Sequence, residues 1–298
     1  MAGCAIGRRY AQASRVSMRI LSFLFTTVMF CGSPTMADVV GVTSNVLKRV
    51  VRIEVNGGSG TAFTLDVDGH HYLITAKHVI ASVKGPEGSI QVCVDGGKCV
   101  DTPVTVLRCS DPVDIAVLVP KRVLTVTIAL PADSAGMVLG QDVYFVGYPY
   151  ADPLLNTITP ALENIGFVRK AVWSAQTRKD EAITMYFDGR NNSGFSGSPI
   201  VFLEQGKPGY DFKVAGVVSG YRTDYTEVVT PTPILEKDVT DEDRALDRIK
   251  RGTDGKLYKL VPTGKWVPGN TGIVIGYDIK HAVELIRKTE QKGPEAKR

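Results

Sequence analysis

Apolar residues come in short runs, each closed by a turn signal, from Val50 to about Leu130. The runs are Val50–Val55, Thr61–Val67, Tyr72–Thr75, Ile90–Val94, Val104–Leu107 and Ile115–Val119. Between them stand Asn56-Gly57-Gly58, Asp68-Gly69, Gly85-Pro86, Gly96-Gly97 and Asp111-Pro112. Runs this short, at this spacing, predict strands of an antiparallel barrel or sandwich. A second series follows: Val143–Gly147, Gly166–Val172, Ile183–Phe187, Ile200–Leu203, Val214–Val218 and Thr271–Tyr277. Two β-rich halves are therefore expected, over residues 38–135 and 136–298, meeting near Pro131–Gly140.

Residues 222–270 interrupt the second series with charge, Thr and Pro, and read as a surface insertion, with a lid or partner-binding loop as the alternative. Inside it, Thr240-Asp241-Glu242-Asp243 has the pattern of a helix cap. Ala245, Leu246 and Ile249 offer a short apolar stripe before Gly252. Asp278 is placed to cap a last helix over residues 279–288, with Ile279, Ala282, Val283 and Ile286 on one face. The polar residues after it are expected to fray.

The N-terminus has a different grammar. Arg19 precedes twelve apolar or small residues, Ile20–Cys31, and then Gly32, Ser33, Pro34 and Thr35-Met36-Ala37. A basic start, a short apolar core and a small-residue exit predict a secretory signal peptide cut before Asp38. The run is too short to cross about 30 Å of hydrocarbon as a helix. Met18 stands just ahead of it, so residues 1–17 read as an upstream extension. The expected location is the periplasm or the exterior.

Composition sharpens this reading. Of 298 residues, 44% are hydrophobic and 22% charged, which excludes a wholly disordered chain and a polytopic membrane protein. The formal charge of +4 comes from four Arg in residues 1–37; without them 31 basic residues face 31 acidic ones. A balanced mature chain gives no electrostatic reason to expect nucleic acid as a partner. Of the five Cys, Cys4 and Cys31 leave with the presequence. Cys93 and Cys99 flank an Asp95-Gly96-Gly97 turn signal, which sets them opposite each other in a hairpin. An oxidising compartment favours a bridge there, and separate thiols are the alternative. Cys109 is left over, and no ligand spacing points to a metal.

Candidate chemistry is confined to a few residues. His70 and His71 follow a turn signal, and His281 falls on the last helix; both places read as surface. His78 differs, standing where the buried run Leu73-Ile74-Thr75-Ala76 gives way to polar residues. Asp114 sits directly before the apolar run Ile115-Ala116-Val117-Leu118, whereas Asp111, before a Pro, reads as a turn acid. In Asn192-Ser193-Gly194-Phe195-Ser196-Gly197-Ser198-Pro199, glycines flank Ser196 two before and one after. They let the backbone turn sharply, expose the hydroxyl, and aim successive N–H groups at one spot. An acyl-transfer nucleophile beside an oxyanion hole needs that arrangement. The Gly-x-Ser-x-Gly elbow of α/β-hydrolases is absent, because position 198 is Ser.

Taken in the order His78, Asp114, Ser196, these residues resemble the triad of the trypsin/chymotrypsin-like serine peptidases. The anchors are Thr75-Ala76-Lys77-His78-Val79, Asp114–Leu118, Gly194–Pro199 and Gly216-Val217-Val218-Ser219-Gly220. Gly58–Phe63, Val143–Pro149 and Gly166-Phe167-Val168 resemble the bacterial HtrA/Do-like branch in particular. The resemblance implies an all-β fold of two six-stranded antiparallel barrels with a short C-terminal helix. It implies His78 as general base, Asp114 as its orienting carboxylate and Ser196 as nucleophile. Gly194 and Ser196 would supply the oxyanion-hole N–H groups. It implies that Ser219-Gly220-Tyr221 pairs with an extended peptide or protein substrate, and that Arg190, six before Ser196, stands where the family has its pocket floor. No cofactor or metal is expected. HtrA proteins carry a PDZ domain after the protease; here about ten residues follow the last helix, so none is expected. Phe195 departs from the family's Asp or Asn and cannot pair with a newly cut N-terminus, so trypsin-type activation is not expected. Two other readings remain open: a catalytically weak protease-fold binding protein, and an esterase or amidase for small substrates.

Overall fold

Each run of the first series becomes a strand. The computed structural model describes residues 41–94, 98–126, 128–149, 165–204 and 212–291. The expected signal peptide and upstream extension, the expected turn at Asp95-Gly96-Gly97 and the end of the tail lie outside the described residues. After a one-turn helix α1 (Ser44–Leu47) come β1 (Val50–Val55), β2 (Gly58–Val67), β3 (His70–Thr75), β4 (Glu87–Val94), β5 (Lys98–Arg108) and β6 (Ala116–Pro120). They close as β1-β2-β3-β6-β5-β4, a barrel with no free edge. Ile53, Leu73, Ile90, Val104 and Leu118 fill it, each 2% exposed or less. His70 and His71 open β3 instead of lying in a turn. His71 is enclosed, its Nδ1 2.8 Å from an Asp66 carboxylate oxygen and its Nε2 accepting from the Leu124 N–H.

The second half has β7 (Asp142–Gly147), β8 (Phe167–Lys179), β9 (Ala182–Asp188), β10 (Pro199–Leu203), β11 (Phe212–Ile234), β12 (Ile249–Arg251) and β13 (Leu257–Asp278). The order β11-β10-β7-β8-β9-β13 is joined end to end by a β11–β13 pairing, so six strands form a second ring, with β12 added to β13. Phe145, Phe187, Ile200, Phe202 and Val218 lie at its centre.

The segment 222–270 is built mainly as a two-stranded ribbon. β11 and β13 run far past the barrel, paired from Thr223↔Asn270 to Ile234↔Leu257, as a two-stranded arm. Tyr, Thr, Val and Trp on both sides suit extended backbone. Pro231, Pro233, Pro262 and Pro268 disguised this in the sequence, yet a ribbon two strands wide has edges where a missing N–H costs nothing. At its far end α2 (Asp241–Ala245) carries the expected capping box between Thr240 and Asp243. The expected apolar stripe does not form: Leu246 is exposed and Ile249 belongs to β12. The last helix, α3 (Lys280–Gln291), is shifted and longer than 279–288; Asp278 Oδ1 accepts the Lys280 N–H, while Ile279, Ala282 and Ile286 are fully buried. His281 is half-buried rather than on the surface, its Nε2 accepting the Ile183 N–H. No helix among the described residues is long and apolar enough to cross a membrane.

Cys93 and Cys99 face each other across β4 and β5 and are joined by a disulfide. Glu54 places a carboxylate within 4.8 Å of both sulfurs, but sulfurs bonded to each other are not thiolate ligands for an ion. Cys109 is free and buried, and burial pushes its thiol up to about 11. In the chain 38–298, dithionitrobenzoate at pH 8 is therefore expected to find no thiol in native protein. It should find one on denaturation and three after reduction. Two or more thiols on denaturation alone would contradict the bridge.

Candidate active site

Antiparallel pairing brings the first two candidates together. Thr75, the last residue of β3, sits opposite Ala116, the first of β6. His78 lies three residues past one and Asp114 two residues before the other, so both emerge at the same end of the barrel. A short 3-10 helix (Lys77–Ile80) turns His78 outward, and Asp114 holds it twice. Asp114 Oδ1 accepts the His78 backbone N–H at 2.9 Å, and Oδ2 lies 2.6 Å from His78 Nδ1. Asp111, on the far side of a cis Asp111–Pro112 bond, reaches Lys77 Nζ at 2.6 Å and is otherwise open to water. An exposed pair of that kind adds little stability.

Burial pushes the Asp114 carboxyl up, but the hydrogen bonds from His78 and Ser219 favour the charged form and carry it below 3.8. The charged form therefore contributes stability above that value, and the contribution fades as pH falls through the depressed pKa. A carboxylate only accepts, so His78 Nδ1 is the donor, and in the neutral ring the lone pair then falls on Nε2. That is the tautomer a general base requires.

Ser196 comes from the other barrel, in the loop between β9 and β10. The Gly197 N–H donates to Val218 O and the Val218 N–H to Ser198 O, so β10–β11 pairing continues almost to Ser196. This lays Ser196 beside Ser219. Ser196 Oγ donates to Ser219 O at 3.0 Å, and Ser219 Oγ donates to Asp114 Oδ2 at 2.6 Å. One connected chain thus runs from Ser196 through Ser219 and Asp114 to His78, across the seam between the barrels. No hydrogen bond joins Ser196 Oγ to His78 among the described residues.

The loop ahead of Ser196 is held in shape by its glycines and by the first barrel. The Phe195 N–H donates to Asn192 O, and Gly194 has φ +100°, the signature of a type II turn with glycine third. A Cβ on Gly194 would collide with Tyr148 O. Thr61 of β2, fully buried, is the clamp. Its Oγ1 donates to Gly194 O at 2.7 Å and accepts the Tyr148 N–H at 3.0 Å, while its N–H donates to Ser196 O at 2.9 Å. Thr75 Oγ1 donates to Thr61 O at 2.7 Å and steadies the clamp from behind.

Phe195 is wholly buried. Its ring meets Phe145 edge-on at 5.3 Å and lies under the Arg169 guanidinium at 5.8 Å. Arg169 also donates to Asn192 Oδ1 at 3.1 Å, so it grips the same loop at two points. The aromatic side chain provides a packed anchor inside the second barrel where the family uses a polar one. Phe195→Ala is expected to cost about 3–5 kcal/mol, read from the denaturant midpoint, and to slow any reaction at Ser196. A loss below 1 kcal/mol would rule out the anchoring role.

Among the remaining sequence candidates, Gly220 and Tyr221 continue β11 beside Ser196. Asn191, not singled out by sequence, donates from Nδ2 to Gly220 O at 3.0 Å and accepts from Asn270 Nδ2 at 2.5 Å. It ties residues 189–192 to the base of the arm. Arg190 is exposed and forms no hydrogen bond or ion pair among the described residues. The sequence places Ser219 on a substrate strand, and carries no sign of its hydroxyl contact with Asp114. Thr61 and Arg169 were missed too, because their partners lie 133 and 23 residues away in the chain.

A family model described as Trypsin-like peptidase domain matches residues 58–208, from β2 through the loop after β10. No curated protein matches. Among solved structures, the inactive form of the Rv3671c protease is 18% identical over 74% of this chain and 86% of its own, with a TM-score of 0.42. The HtrA-type protease AlgW with a tripeptide is 17% identical, with a TM-score of 0.49; 84% of this chain is covered and 62% of that one. The MamO protease domain from Magnetospirillum magneticum is 19% identical over 75% of this chain and 96% of its own, with a TM-score of 0.41. With the family model spanning half of its length and a serine loop joined to an Asp–His pair, the chain belongs to the trypsin-like peptidases, as a serine-type peptidase.

Proposed function

We propose that the protein is an exported serine endopeptidase that works through His78, Asp114 and Ser196. The observation that carries this is the hydrogen-bonded chain Ser196–Ser219–Asp114–His78, which leaves His78 Nε2 with a lone pair at the barrel seam. His78 takes the Ser196 proton as Oγ attacks the scissile carbonyl. Asp114 stabilises the imidazolium. The Gly194 and Ser196 N–H groups hold the oxyanion, each donor worth about 3–4 kcal/mol in the transition state. The C–N bond breaks, His78 passes the proton to the departing amine, and water then releases the acyl group from Ser196. Peptide substrate pairs along Ser219-Gly220-Tyr221. No step calls for a metal or cofactor.

Export is supported by two separate features: the basic, apolar and small-residue succession up to Ala37, and a disulfide that suits an oxidising compartment. The mature chain then starts at Asp38 and acts in the periplasm or outside the cell.

The test is the intact mass of purified 38–298 after a fluorophosphonate probe, beside Ser196→Ala. One adduct on the wild type and none on the variant is the expected result. No adduct on folded wild-type protein would overturn the proposal and favour a protease-fold binding protein. Labelling with turnover of small esters only, and none of peptide bonds, would favour an esterase.

A further inference from the structure

We infer that the β11–β13 arm is a docking edge for the stretch of polypeptide substrate ahead of the scissile bond. This rests on the active-site reading above and extends it beyond the family-matched residues, which end at 208. β11 pairs with β10 only from Phe212 to Val217, and with β13 from Gly216 to Ile234. From Ser219 onward its outer edge has no strand partner among the described residues. An open edge of this length is a template for another extended chain.

The edge begins at the reacting residue. Ser219 O touches Ser196 Oγ at 3.0 Å, and β11 continues from there through Tyr225. A substrate paired antiparallel to Ser219–Tyr221 runs toward its own N-terminus as β11 runs away from Ser196. The seven residues Ser219 to Tyr225, six steps of strand, span about 20 Å, room for about six substrate residues ahead of the cut. Pro231 and Pro233 lack the N–H that further pairing would use, which sets an outer limit near Val229.

Side chains supply a matching surface. Tyr225 is opposite Pro268, and Trp266 lies two residues from Pro268 on β13, so all three share one face. Tyr225 is 61% and Trp266 58% exposed, unusual for such large rings unless something covers them. The occupant that fits is an extended, unfolded peptide with apolar side chains: backbone to the edge, side chains over the rings.

The experiment uses reduced, carboxymethylated ribonuclease A, an unfolded chain without Trp, and a fluorophosphonate as a probe too small to reach the arm. Tyr225→Ala/Trp266→Ala is expected to lower kcat/KM on the unfolded chain at least tenfold and to leave the labelling rate unchanged. In Ser196→Ala, adding the unfolded chain should shift tryptophan emission to the blue, and the shift should vanish in Ser196→Ala/Trp266→Phe, which keeps Trp173. Unchanged cleavage by the double variant, an equal loss of labelling, or a halved solution mass with cleavage intact would overturn the proposal, the last by showing the face to be a contact between two copies. If wild-type protein is not labelled at all, the active-site reading has failed, and the fluorescence titration still decides whether the arm binds.

Discussion

Ser196→Ala and His78→Ala are each expected to lower peptide-bond turnover by about 10⁴-fold or more while the fold stays intact by circular dichroism. The structure says why stability should survive. Ser196 Oγ makes one bond, to Ser219 O, and its removal leaves the clamp from the Thr61 N–H to Ser196 O untouched. His78 is half exposed, with a 52% accessible side chain, and its backbone N–H still reaches Asp114 after truncation. The double variant should be no worse than either single one, because both act in the same proton transfer. Turnover within tenfold of wild type in either single variant would remove the triad assignment.

Gly197→Ala should be the most damaging change that touches no reacting atom. Gly197 has φ +89°, which L side chains avoid, and a Cβ there would run into Thr61 O, Thr75 Oγ1 and the Ala76 nitrogen. Two of these are backbone atoms of β2 and of the turn leading to His78, so neither can swing aside. Strained φ and forced overpacking each cost about 1–3 kcal/mol. The sum, about 3 kcal/mol or more, lowers the melting temperature of a protein this size by roughly 6–12 °C. Activity should fall further than stability, because the displaced atoms carry both Ser196 and His78. A folded, fully active Gly197→Ala protein would show that the barrels do not meet as closely as described.

What the sequence made legible was local. Strand runs bounded by Gly and Asp turns could be read because alternation and turn chemistry are written within a few residues of each other. Cys93 and Cys99 could be placed opposite one another for the same reason. The serine loop announced itself through Gly194 and Gly197, whose positive φ values only glycine adopts cheaply. Pairing across the chain was not legible. Nothing near Thr61 marks it as the partner of Gly194, and nothing near Arg169 points to Phe195. The arm was obscured by its own composition: Thr230-Pro231-Thr232-Pro233 reads as a breaker until it is known to lie on an edge. Leu246 shows the opposite error, since an apolar residue at helical spacing found no core to face.

The Thr61 clamp has a consequence for the birth of the enzyme. Thr61 belongs to the first barrel, yet it fastens Gly194 and Ser196 of the second; His78 and Asp114 likewise reach Ser219 only across the seam. The first barrel alone can orient the His78 imidazole through Asp114 but has no nucleophile, and the second alone lacks the clamp on its serine loop. A chain whose two barrels have not yet docked therefore lacks an assembled site. Refolded from denaturant, the protein should regain labelling with the slowest barrel-docking phase and not with strand formation, so that the moment the site comes into being is set by the order in which the chain folds.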